Sequence, residues 1–521
     1  NHRYKLTHSG WPKFMRNRFT KTIIAATLIS VATPAFAEWR VAESENFQIY
    51  SEEKPEEMVK LAARLERFKM LLTAFSGLKK PRPGMKLKIF WVSEAWRVQN
   101  IIKGGYGFVQ GYYVAATPYG PIAVVPGKTR STGRRVVGSA EQEGIDPEVV
   151  LQHEYGHHFM LQNFPVAFPP WFVEGFAEYY GHTEFDDNGD IRLGMYADAR
   201  KAEFRYLGVM ALPKLFNNKA KPPASSFYGT SWLLTHYVNF NNDRRPEFRA
   251  YLSDVQNGMD SVEAANKNFK GGLKELEKEL KKYLNGNNFP YQTLGKVPDI
   301  DRSKVTLSTL PADRAAAIIP EIRYLSGFSG DKDERGKLIE TIRDLSSKNP
   351  QSAYLKAFLA NLHLDNDEDD LAVSIANEAL GIEATNQRAR LVKASALMEK
   401  AQTLEGGNTK NPEPPKPSKE KEDSDDSAYE NEIVVTASRT KESQALWAEA
   451  LKLIVAANRN DSEDPLPLYL YYEYLKRRGE TISETATDGL AKAHVVIPQY
   501  QPLRLRLAEE YSDQALFQPY G

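Results

Sequence analysis

Apolar residues at Met58, Leu61, Leu65, Phe68 and Leu72 recur every three or four positions between Pro55 and Phe75. That period stacks them on one face and predicts an amphipathic helix over the segment. On either side, Phe47-Gln48-Ile49-Tyr50 and Leu87-Lys88-Ile89-Phe90-Trp91-Val92 read as short strands. Two further runs, 107–115 and 121–126, predict strands joined by a turn through Pro118-Tyr119-Gly120.

From about residue 311 the texture changes to helices rich in Ala and Leu. Pro350, Thr385-Asn386, Pro465 and Pro498 each follow a helical pattern. The intervals 350–385 and 465–498 approach the ~34-residue period of tetratricopeptide repeats. Leu371, Ala372, Ala376, Ala379 and Leu380 place small residues where paired helices approach closely, and Ala486, Leu490 and Ala493 repeat the theme. Residues 311–521 are therefore expected to form an all-α, tetratricopeptide-like domain. It is interrupted at 404–431 by a segment of Pro, Lys, Glu, Asp and Ser that cannot bury a core and is expected to be a disordered insertion. Residues 432–439 are similar to the TonB-box segment of outer-membrane transporters.

Arg16, Arg18 and Lys21, the apolar run 23–31 and Ala35-Phe36-Ala37 together form a secretory signal pattern. Residues 1–37 are accordingly expected to be an upstream extension and signal peptide, with Met15 as the initiator and an exported, periplasmic or secreted product of a bacterium. No later stretch is long enough to span a bilayer. The chain has no cysteine, so any metal must be held by His and carboxylates. Lys plus Arg equals Asp plus Glu at 68 each, a balance that gives no sign of a nucleic-acid partner.

Chemistry concentrates at His153-Glu154-Tyr155-Gly156-His157. Asp146 and Pro147 start a helix here, as N-cap and first helical residue. Histidines four apart share one helical face and can grip one metal ion, and Glu154 is placed to take a proton from a water at that ion. After Pro169-Pro170, the segment Trp171 to Tyr180 reads as a second short helix carrying acidic residues. Two histidines and a glutamate are one known ligand set for catalytic zinc, leaving a position open for water.

These residues, with Trp171, Glu174-Gly175, Ala177 and Glu178-Tyr179, resemble the gluzincin metallopeptidases, and most closely the peptidase-MA-like bacterial proteins with C-terminal tetratricopeptide repeats. The resemblance covers roughly residues 38–285. It implies an α+β zincin-like catalytic domain over 38–290, with Zn2+ held by His153, His157 and Glu174, and Glu154 as general base. Glu178, one turn after Glu174, resembles the acid that orients a ligand histidine. Glu178 as the third ligand is the alternative. The segment 226–238 resembles the helix that supplies an oxyanion donor, with Tyr228 first in that role and His236 second. His158 points about 100° away from His157 and is read as a polar or partner-facing residue. Peptidases of this class hold substrate along an edge strand before the zinc helix, here the strands near 107–126, and 128–144 reads as a mobile loop over the cleft.

The expected function is that of an exported zinc metallopeptidase. A peptide or protein would be its substrate, and the repeats would recruit substrate or a protein partner. The alternative is a catalytically idle zincin-like scaffold that binds proteins through its repeats.

Overall fold

The computed structural model describes residues 38–513 except 94, 102–110, 128–145, 165, 187–189, 198–199, 218–225, 287, 296–297, 299, 328–329 and 407–438. The segments expected to be a signal peptide (1–37) and a mobile loop (128–144), nearly all of the expected insertion 404–431 and residues 432–438 of the TonB-box-like segment lie outside the described residues.

The chain opens with β1 (Arg40–Glu43), β2 (Phe47–Ser51), α1 (Pro55–Phe75), β3 (Leu87–Val92), α2 (Ala95–Ile101), β4 (Tyr112–Val114) and β5 (Ile122–Pro126). Helix α1 has the bounds its periodicity predicts. Pro55 begins it, and Glu56 and Glu57 complement the partial positive charge of its first turn. Next come α3 (Pro147–Asn163), α4 (Pro170–Gly181), β6 (Glu184–Phe185), β7 (Ile191–Leu193), α5 (Lys201–Leu207), α6 (Leu212–Leu215) and α7 (Phe227–Phe240). They are followed by α8 (Arg244–Gln256), α9 (Ser261–Asn268), α10 (Gly272–Asn285), β8 (Gln292–Leu294) and β9 (Thr306–Thr309).

Six strands form one sheet in the order β4-β5-β3-β2-β1-β9. β2, β3 and β5 run parallel, and β4 closes one edge antiparallel to β5. Alternation along the central strands decides what each face meets. Phe47, Ile49, Leu87, Ile89, Ala123 and Val125 face α1 and α3, packing with Phe68, Leu151 and Tyr155. Phe90, Val92, Ile122 and Val124 face the opposite way, onto α2 and residues Ile318, Ile322 and Leu325. A second core gathers Trp171, Trp232, Tyr251 and Phe216 from the helices after α3.

The remaining helices are α11 (Ala312–Ala316), α12 (Ile318–Leu325), α13 (Lys332–Lys348), α14 (Ala353–Leu364), α15 (Asp369–Ile382), α16 (Gln387–Leu404), α17 (Lys441–Asn460), α18 (Leu466–Arg477), α19 (Glu484–Val496) and α20 (Gln501–Asp513). From α12 on, each packs on the next, while α14 also touches α16 and α16 also touches α18. Ala372, Ala376 and Ala379 are fully buried on α15, where small side chains let helices approach.

The fold is thus a mixed α+β protein in which helices far outweigh the strands of a six-stranded and a three-stranded sheet. Residues 291–310, which fall between the two domains expected from sequence, supply two strands. β8 joins β6 and β7, and β9 pairs with β1, so this segment is part of both sheets. The described residues from 38 to 513 belong to one compact unit. Among the described residues, no helix is long and apolar enough to cross a membrane.

Candidate metal centre

Two helices build the site. Asp146 caps α3, its carboxylate accepting from Glu148 N at 2.8 Å, and Pro147 occupies the first turn. The helical repeat then sets His153 above His157. Helix α4 starts at Pro170 and presents Glu174 and Glu178 one turn apart. Gly175 lets α4 lie directly on α7: a Cβ there would come within 2.2 Å of Thr235 Oγ1 and 2.6 Å of Ser231 O.

Three ligand atoms converge. His153 Nε2 and His157 Nε2 are 3.1 Å apart, and each lies 3.4 Å from Glu174 Oε2. Ligands about 2.0–2.1 Å from a tetrahedral zinc stand roughly 3.3 Å from one another, so this triangle has the dimensions of three corners of such a site. His153, His157 and Glu174 can therefore hold a metal ion.

The surrounding bonds make a cation there favourable. His153 Nδ1 lies 3.2 Å from Glu178 Oε1, a carboxylate that can only accept. Nδ1 therefore carries a proton, and Nε2 is the nitrogen that faces Glu174 and His157 and can give its lone pair to an ion. Glu174 Oε2 is buried and has no hydrogen-bond partner. Buried lone pairs facing one another repel unless a positive charge lies between them. Burial lowers the pKa of His153, yet Glu174, Glu178 and Glu154 outweigh it and raise it to about 10, so without an ion the ring itself carries the positive charge that these carboxylates attract.

Glu178 is buried and does not reach the triangle; it orients His153. Arg200 grips it, with Nη2 2.5 Å from Oε1 and Nε 3.1 Å from Oε2. Burial opposes the charge on Glu178, but Arg200 and the His153 N–H hold its carboxyl well below the usual range. Nothing in the sequence pattern marked Arg200. It lies outside any periodic segment, and only the fold brings it to α4. Glu203, one turn further on, accepts from Gly229 N at 3.0 Å and so ties the start of α7 to the same network.

Glu154 is only 7% exposed, and burial raises its pKa despite the two histidines. It faces the beginning of β4, where a Cβ on Gly111 would lie 3.5 Å from its Oε1. Tyr228, half-buried in the first turn of α7, has its ring centroid 6.4 Å from that of His153. The Arg200 guanidinium lies 5.1 Å over the Tyr228 ring. Burial, then Glu174, push the phenol up to about 12, and its hydroxyl makes no hydrogen bond among the described residues.

His236 is not at the site. Two turns further along α7 it is fully buried, with Nε2 donating to Gly194 O at 3.0 Å and Nδ1 accepting from Tyr283 OH at 2.8 Å. Both nitrogens are committed, and burial lowers its pKa to about 4, so it serves the core and cannot donate to substrate. His158 also turns away from the triangle, its Nδ1 3.0 Å from Tyr113 OH on β4. No protein-family model matches the chain, and no curated protein matches its sequence.

Proposed function

We propose that this chain is an exported zinc metallopeptidase of the gluzincin type, with a tetratricopeptide-like helical domain. The observation that carries the reading is the triangle of His153 Nε2, His157 Nε2 and Glu174 Oε2, with the buried carboxylate of Glu154 on the neighbouring position of α3. Zinc bound by these three residues would supply a Lewis acid for the peptide carbonyl and lower the pKa of a water. Glu154, made more basic by burial, takes the proton of the attacking water and returns it to the leaving nitrogen. Tyr228 stays protonated through neutral pH and can donate to the oxygen on which negative charge develops. Among the described residues β4 is an edge strand of the sheet, beside Glu154, and an extended peptide can add to such an edge through main-chain bonds. Export to the periplasm rests on the signal pattern of residues 16–37.

The test is zinc content by atomic emission, together with cleavage of an internally quenched peptide library, for the wild type and Glu154→Gln. The expected result is one zinc per chain in both, with cleavage reduced roughly 10²–10⁴-fold in the variant. A wild type without stoichiometric zinc ends the enzyme reading. Zinc without cleavage of any library member leaves the idle scaffold.

A further inference from the structure

β4 is held from both faces. Tyr113 points to α3, where its hydroxyl meets His158 Nδ1. Tyr112 points the other way, and its hydroxyl lies 2.8 Å from Ser326 Oγ at the end of α12. Beyond the strand, the turn from Thr117 to Gly120 runs into the helical array. α14, α16 and α18 pack in a row, and residues of all three meet Tyr119 of this turn.

Tyr119, in that turn, is bound much as a ligand is. The Arg388 guanidinium of α16 stacks 4.6 Å over its ring. Its hydroxyl donates to Asn361 Oδ1 on α14, and its ring packs against the small cluster that Leu391 of α16, Ala457 of α17 and Leu466 of α18 form. Its carbonyl accepts from Lys88 Nζ of β3 at 3.0 Å. Arg388 is braced in turn by Glu321 of α12, 3.2 Å away. Helices remote in sequence thus converge on one side chain of the sheet domain.

We propose that the array is an intramolecular clamp, with Tyr119 and Arg388 as positioning residues that fix edge strand β4 beside the metal centre. Tyr119 occupies the place where Asn361 of α14 and Arg388 of α16 meet, so an outside protein can use that place only by displacing it. Because Gly111, at the start of β4, lies beside Glu154, a loosened hairpin changes the wall along which substrate would lie. This functional half rests on the peptidase reading; the clamp itself does not.

The full chain and its Tyr119→Ala, Tyr119→Phe and Arg388→Gln variants test it by hydrogen–deuterium exchange. Amides of 111–126 should exchange faster in Tyr119→Ala and Arg388→Gln, those of α3 should be unchanged, and Tyr119→Phe should be intermediate, since it keeps the ring under Arg388. With the best-cleaved library peptide, KM should rise roughly tenfold in Tyr119→Ala while kcat changes less than about twofold, and Tyr119→Phe should recover most of the loss. Unchanged exchange over 111–126 in both loss variants overturns the clamp. Faster exchange with KM unchanged overturns its positioning role. If the wild type cleaves nothing, the peptidase reading fails and exchange still decides the clamp.

Discussion

Arg200 holds Glu178 in a two-pronged grip while the same carboxylate receives the Nδ1 proton of His153. The chain Arg200–Glu178–His153 therefore fixes one imidazole in the tautomer and rotation a metal requires. Neutralising Glu178 would free the ring to rotate, and removing Arg200 would leave a buried carboxylate without its counter-charge. Glu178→Gln and Arg200→Met are expected to weaken zinc binding roughly 10–100-fold. Competition with a fluorescent chelator measures this. Wild-type affinity in both variants would show that the grip has no part in holding the metal.

Metal removal should also be visible in stability. The folded chain presents the three lone-pair donors together, whereas the unfolded chain does not, so a bound ion favours the folded state. At free zinc a hundredfold above Kd the gain is about 3 kcal/mol, and EDTA should lower the melting temperature by several degrees. Glu174→Ala should melt at the same temperature with or without EDTA. A chelator effect of equal size in that variant would place the stabilising ion elsewhere.

Much of this site was legible in the sequence because its parts are local. A four-residue spacing puts His153 and His157 on one face wherever a helix forms, and Asp146-Pro147 starts that helix. Glu174 and Glu178 follow the same rule on α4. The metal-holding triangle is then a matter of one helix crossing. Other features depend on contacts distant in sequence. Arg200 acquires meaning only when its loop folds back over α4. Thr306 to Thr309 are all exposed and show no alternation, so their pairing with β1 is a backbone matter without a side-chain signature. His236 misled because a histidine on a helix near a metal motif looks alike whether it faces a cleft or a core. Only the partners Gly194 and Tyr283 separate the two.

That core position makes His236 a source of acid lability. Its folded pKa is depressed from 6.5 to about 4. The unfolded chain takes up a proton below 6.5 while the folded chain does not, so the stabilisation is complete above 6.5 and is lost as pH falls toward about 4. The shift corresponds to about 3 kcal/mol. Urea midpoints between pH 7.5 and 4.5 should fall more steeply for the wild type than for His236→Gln, with the two curves converging at the acid end. Parallel curves would mean that His236 is not the titrating group.

Gly175 offers the sharpest test of how the helix crossing sets the site. A methyl group there would overlap Thr235 Oγ1 at 2.2 Å and Ser231 O at 2.6 Å, and the second contact is backbone that no rotamer can relieve. Gly175→Ala must therefore push α4 away from α7, carrying the adjacent Glu174 with it. Overpacking of this kind costs about 1–3 kcal/mol. Because Glu174 completes the metal triangle, zinc affinity should fall along with stability. The double variant Gly175→Ala/Thr235→Gly removes the shorter clash but not the backbone one, so it should recover only part of both losses. If Gly175→Ala alone bound zinc with wild-type affinity and unfolded at the wild-type urea midpoint, the close crossing of α4 on α7 would not be what places Glu174.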